Sequence, residues 1–69
     1  MWWVYIIEKE NKYYTGITTD LKNRIRQHGV NMYAFKEPFE NKYLASKRER
    51  EIKGWSRIKK TQLITNFSK

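Results

Sequence analysis

The run Trp2–Ile7, W-W-V-Y-I-I, is apolar at every position, and in a chain of 69 residues it constrains the fold more than any other stretch. A strand turns successive side chains to opposite faces, so a segment apolar on both parities must be covered on both. Trp2–Glu8 is therefore expected as the central strand of a small sheet with helices packed against it. A core of this size is marginal and needs efficient packing or a staple. The chain has no cysteine, so disulfides and thiolate–zinc sites are excluded, in keeping with a reducing compartment. Its 16% content of Phe, Trp and Tyr supplies buried area instead.

Around that strand the remaining elements follow in order. Lys9–Lys12 is a polar turn in which Asn11 suits positive φ. Tyr13–Thr18 returns antiparallel. The Thr18-Thr19-Asp20 cluster offers side-chain oxygens to a helix start, Leu21 and Ile25 form that helix's buried stripe, and Gly29 stops it. Met32–Lys36 reads as a third strand ended by Glu37-Pro38. Glu40-Asn41 opens a second helix from Tyr43 to about Lys53, with Leu44, Ala45 and Ile52 on its buried side. Gly54 and Trp55 break it, Ser56 caps a last helix to about Thr65, and Asn66–Lys69 is expected to fray. The expected architecture is an α/β sandwich, β-β-α-β-α-α, with a three-stranded antiparallel sheet and Trp2–Ile7 in its middle.

Fifteen Lys and Arg against seven Asp and Glu give a net charge of +8, which in so small a body attracts polyanions, nucleic acid before anionic membrane. No apolar stretch approaches the ~20 residues of a membrane span, and no secretory leader is recognisable. The expectation is a soluble cytoplasmic protein.

Two groups of residues stand out by spacing. On the first helix Arg24 and His28 are four apart and stack along one flank of the Leu21–Ile25 stripe, while Arg26 points away. Across the hairpin, a loop over Lys9–Lys12 pairs Glu8 with Tyr13, Ile7 with Tyr14 and Tyr5 with Gly16. Tyr5 and Tyr14 then share a face, and Gly16 leaves room beside Tyr5. The plain alternatives are a surface ion pair for Arg24, a helix-end histidine for His28 and core aromatics for the tyrosines. On the second helix Glu49 and Glu51 flank the buried stripe about equally, and the wheel does not choose between them.

Trp3-Val4-Tyr5, followed after eight residues by Tyr14-Thr15-Gly16, resembles the paired signature of the GIY-YIG nuclease superfamily. Thr19-Asp20-Leu21, with Arg24 and His28 behind, is similar to that family's first helix. Ala45, Glu49 and Ile52-Lys53, with Ser56-Arg57 and Lys59-Lys60, resemble the second helix region of small bacterial members. The resemblance implies a divalent-metal-dependent endonuclease that hydrolyses phosphodiesters in DNA with one Mg²⁺ or Mn²⁺. Tyr5 would hold or deprotonate the attacking water, Tyr14 would support it, and Arg24 would neutralise developing charge. His28 would orient a tyrosine or phosphate oxygen, and Glu49 would ligate the metal. Gly16, Lys53, Arg57, Lys59 and Lys60 are the expected nucleic-acid contacts. The chain departs from the family pattern at Trp3, where the motif has Gly, and in the connection after His28, where only Gly29–Asn31 stands in place of a longer basic stretch.

The reading is thus one nuclease-like domain over residues 1–69, with little sequence specificity of its own and a possible protein partner supplying it. A basic nucleic-acid-binding module without chemistry is the first rival. A basic adaptor for an acidic protein or membrane surface is the second.

Overall fold

The computed structural model describes residues 1–68. Three strands, β1 (Trp2–Lys9), β2 (Lys12–Thr18) and β3 (Phe35–Phe39), form an antiparallel sheet in the order β2-β1-β3. Three helices accompany them: α1 (Leu21–Gln27) between β2 and β3, then α2 (Lys42–Lys53) and α3 (Arg57–Phe67). The α/β sandwich and the element order are those expected. Among the described residues no helix is long and apolar enough to cross a membrane.

The central place of β1 follows from its two apolar parities. Val4 and Ile6 face one way and pack with Phe35 and with Ala45 and Ile52 of α2. Tyr5 and Ile7 face the other way and pack with Ile25 of α1, with Leu21, Val30 and Tyr33 around them. Val4, Ile6 and Ile7 are fully buried, worth about 1.5–3 kcal/mol of transfer free energy each. Two small cores share one strand.

The hairpin register is the expected one: Tyr5 opposite Gly16, Ile7 opposite Tyr14 and Glu8 opposite Tyr13. The turn is tighter than a four-residue loop, because Lys9 and Lys12 also pair. Glu10 and Asn11 occupy it with φ of 53° and 63°, the geometry that matches the strand twist in a two-residue hairpin. Each helix begins at a side-chain cap. Asp20, Asn41 and Ser56 accept from the backbone N–H of Asn23, Leu44 and Lys59. Helix α1 ends in a Schellman motif: Gly29, at φ 76°, donates to the Arg26 carbonyl and Val30 to that of Ile25.

Three expectations are corrected. The third strand is not Met32–Lys36 but Phe35–Phe39, and it contains Pro38. An edge strand tolerates proline where the missing N–H would face outward, and β3 pairs only with β1. Met32 is left 67% exposed, and Tyr33 turns into the cluster over α1. On α2, Leu44 is 41% exposed, and the buried residues are Ala45 and Ile52 alone. Helix α3 runs two residues past Thr65 because Phe67 packs edge-to-face on Tyr33 and Phe35, at 6.1 and 5.4 Å between centroids. Lys69 of the expected frayed end lies outside the described residues.

Candidate active site

The site grows from Tyr5. It is 3% exposed, yet its ring lies across the neighbouring strand, where Gly16 offers no side chain. The fit is close: a Cβ at Gly16 would stand 2.5 Å from the Tyr5 hydroxyl oxygen and 2.7 Å from Cζ. The hydroxyl emerges beyond that glycine and lies 2.9 Å from Nε2 of His28, which the end of α1 presents to it. With Nε2 unprotonated, the phenol donates to it; the tautomer decides the direction.

Tyr14, on the same sheet face two positions along β2, is 42% exposed, with its ring centroid 6.5 Å from that of His28. The Tyr5 and His28 centroids are 5.8 Å apart, edge to face. The shared face and the shared helix flank therefore bring Tyr5, Tyr14 and His28 together, as their spacing suggests.

Arg24 and Glu49 reach the same hydroxyl through their charges. Burial lifts the Tyr5 phenol above its ordinary value of 10.0, the Arg24 guanidinium draws it back, and the Glu49 carboxylate raises it further. Groups from β1, α1 and α2 thus act on one oxygen. Arg24 is exposed and, among the described residues, pairs with no carboxylate.

The structure also separates the two glutamates. With Leu44 excluded, the buried direction of α2 runs through Ala45 and Ile52; Glu49 falls about 50° from it and Glu51 about 110°. The Glu49 side chain is 19% exposed and faces Lys53 Nζ at 3.5 Å. Glu51 is 51% exposed and ion-paired with Arg48, which also binds Glu37 at 2.9 Å. Among the described residues no cluster of three or more His, Asp or Glu could enclose a metal ion. A single carboxylate suits the mode in which Mg²⁺ keeps most of its waters and takes one carboxylate plus substrate phosphate. Glu49 fits that role.

The basic residues of the last helix are more committed than their sequence suggests. Arg57 donates to the Asn11 carbonyl at 2.8 Å, faces Glu8 at 3.5 Å and stacks over Tyr13 at 4.3 Å, tying α3 to the hairpin tip. Lys59 lies over the Trp55 ring at 4.4 Å, and Lys60 is half-buried. Lys53 already faces Glu49.

One contributor escapes sequence reasoning. Lys9 donates from Nζ to the His28 carbonyl at 2.9 Å, placing a cation on the C-terminal end of α1 and anchoring the residue that meets Tyr5. The two are nineteen residues apart, and nothing in their local pattern announces the contact.

The profile of the GIY-YIG catalytic domain matches residues 1–36, the stretch that carries Tyr5, Tyr14, Arg24 and His28. The chain belongs to the GIY-YIG family. Its relatives there include the UPF0213 protein YhbQ of Escherichia coli O127:H6, 34% identical over 91% of this chain and 76% of the relative. The UPF0213 protein SH2523 of Staphylococcus haemolyticus is 36% identical over 90% and 92%. The solution NMR structure of the UPF0213 protein BH0048 from Bacillus halodurans superposes with a TM-score of 0.64 at 34% identity, covering 94% of this chain and 84% of that one. The alignment with YhbQ runs over 76 positions but takes in 91% of the 69 residues, so within the aligned stretch YhbQ has about a dozen residues without a counterpart here.

Proposed function

We propose that this GIY-YIG protein is a divalent-metal-dependent endonuclease acting on DNA as one nuclease-like domain, with little sequence specificity. The observation that carries the proposal is the Tyr5 hydroxyl, hydrogen-bonded to His28 and set in the combined field of Arg24 and Glu49. That arrangement has the parts of phosphodiester hydrolysis. His28 Nε2 can receive the Tyr5 proton as Tyr5 takes one from water, so a phenol with a raised pKa need not exist as free tyrosinate. Tyr14, beside His28 and open to solvent, can hold the water or a phosphate oxygen. Arg24 is available to the charge that develops on the phosphoryl oxygens. Glu49 would hold the divalent ion, which supplies Lewis-acid polarisation of the phosphate when bound. Without that ion, Lys53 neutralises Glu49.

The net charge of +8 supports a polyanionic substrate. Because Arg57 and Lys59 are engaged within the molecule, Arg24, unpaired with any carboxylate among the described residues, and its neighbours on α1 carry more of the contact than α3 does. Duplex affinity should therefore fall steeply with salt, as counterion release requires. A salt-independent affinity would point to another partner class.

Plasmid nicking in Mg²⁺ or Mn²⁺ tests the chemistry. Glu49→Gln should abolish it with folding and binding intact, since a hard cation loses its charged oxygen ligand. Glu51→Gln, which loses only an exposed ion pair worth less than about 1 kcal/mol, should leave nicking unchanged. Equal loss in both variants would refute the ligand assignment. A wild type that binds DNA without nicking it would favour the binding module.

A further inference from the structure

On the flank of α1 away from Arg24 and His28 lies a cleft of about 330 Å³, lined by Leu21, Lys22, Ile25, Asn31, Met32 and Tyr33. Leu21, Ile25 and Tyr33 belong to the cluster that holds Tyr5, so the cleft and the catalytic face share one support. Beside it, Lys36 Nζ sits between two aromatic rings, 5.0 Å from the centroid of Tyr33 and 5.1 Å from that of Trp3. Lys36 is also the cross-strand partner of Tyr5. The lining contains no acid, and α1 contains none. Met32 reaches into solvent there, 67% exposed.

We propose that this cleft receives an unpaired nucleobase of the DNA strand whose phosphate lies at Tyr5, which makes the substrate class DNA with unpaired nucleotides at the cut. The proposal rests on the phosphodiesterase reading of the Tyr5 site. Tyr33 brings aromatic surface to the lining, and Met32 a soft, adaptable one. The Asn31 amide presents a donor and an acceptor suited to a base edge. Lys22, exposed on the rim, stands ready for a flanking phosphate.

The geometry of α1 gives the path. From the buried direction set by Leu21 and Ile25, Lys22 and Arg24 each lie about 80° away, on opposite sides. A strand with one phosphate at Arg24 crosses a helix about 10–12 Å wide and reaches the cleft within a few nucleotides. A base in a duplex cannot enter, because both its faces and its pairing edge are occupied. An acidic peptide would find a single lysine in a lining otherwise apolar or amide, a poor match for repeated carboxylates.

The test uses two labelled duplexes in EDTA, one matched and one with a short bubble, each carrying 2-aminopurine at the same position. The wild type should bind the bubble about tenfold more tightly, within the range of one base–aromatic stack, and quench the reporter only there. Met32→Glu puts a repelling carboxylate at an exposed position; it should erase the preference while leaving matched-duplex affinity and thermal unfolding unchanged. Equal affinity for both duplexes, or a preference that survives Met32→Glu, overturns the proposal. So does an acid-rich peptide whose binding is tight and is lost in Met32→Glu, because it assigns the cleft to a protein. Binding is read without divalent ion, so the two readings fail separately. A bubble preference without nicking in Mn²⁺ or Mg²⁺ keeps the cleft and strikes the catalytic reading.

Discussion

Gly16→Ala tests the packing on which the site is built. Gly16 has no positive φ, so alanine meets no backbone strain, and the whole penalty comes from Tyr5. The new Cβ would stand 2.5, 2.7 and 3.0 Å from Oη, Cζ and Cε2 of that ring. All three contacts are shorter than van der Waals distance, and the ring is packed against Ile7 and Ile25 rather than free to swing. Overpacking of this kind costs about 1–3 kcal/mol. Against it stands a gain of about 0.4–1 kcal/mol, because alanine restricts the unfolded chain more than glycine does. The net loss should be about 1–2 kcal/mol. With an m value of about 1 kcal/mol/M, that lowers the urea midpoint by about 1–2 M at unchanged m. A double-mutant cycle isolates the cause: in a Tyr5→Leu background, Gly16→Ala should become neutral or stabilising. Additive effects, or an unimpaired Gly16→Ala single variant, would refute the view that Gly16 is required to seat the tyrosine.

Tyr5 should ionise above the ordinary phenol value of 10.0 in an alkaline absorbance titration, and Tyr5→Phe should remove that late component. Its folded-state pKa is raised, so its contribution to stability is complete below the unfolded value near 10 and is lost as pH rises above that toward the folded value. Tyr5→Phe should flatten that part of the stability–pH curve; an unchanged slope would rule out burial as the cause. Lys9→Met should cost about 1 kcal/mol or less in unfolding, as an exposed charge–dipole contact does, yet reduce cleavage several-fold by loosening His28. The split between a small stability loss and a larger rate loss is the diagnostic result, together with a shifted His28 imidazole NMR signal.

The sequence alone determined the parts of this protein that depend on short-range periodicity. Trp2–Ile7 had to be central because both its parities are apolar. The hairpin register followed from where the turn residues fall, and with it the shared face of Tyr5 and Tyr14 and the opening at Gly16. Arg24 and His28 share a flank because they are one helical turn apart. Those relations are fixed by strand and helix geometry within about two dozen residues. Tertiary structure decided the rest. Whether Glu49 or Glu51 is the half-buried carboxylate depends on how α2 is rotated on the sheet. That rotation was set by the burial of Ala45 and Ile52 without Leu44, which apolar character alone could not reveal. Pro38 signalled the end of a strand and instead lies inside one, because β3 is an edge and the penalty for a missing N–H depends on what stands beside it. That Arg57 also contacts Glu8, Asn11 and Tyr13, and Lys59 the Trp55 ring, could be seen only once α3 was folded against the hairpin. Lys9 could be tied to His28 only once the hairpin and α1 were folded against each other, since a hydrogen bond across nineteen residues has no period for a sequence to display.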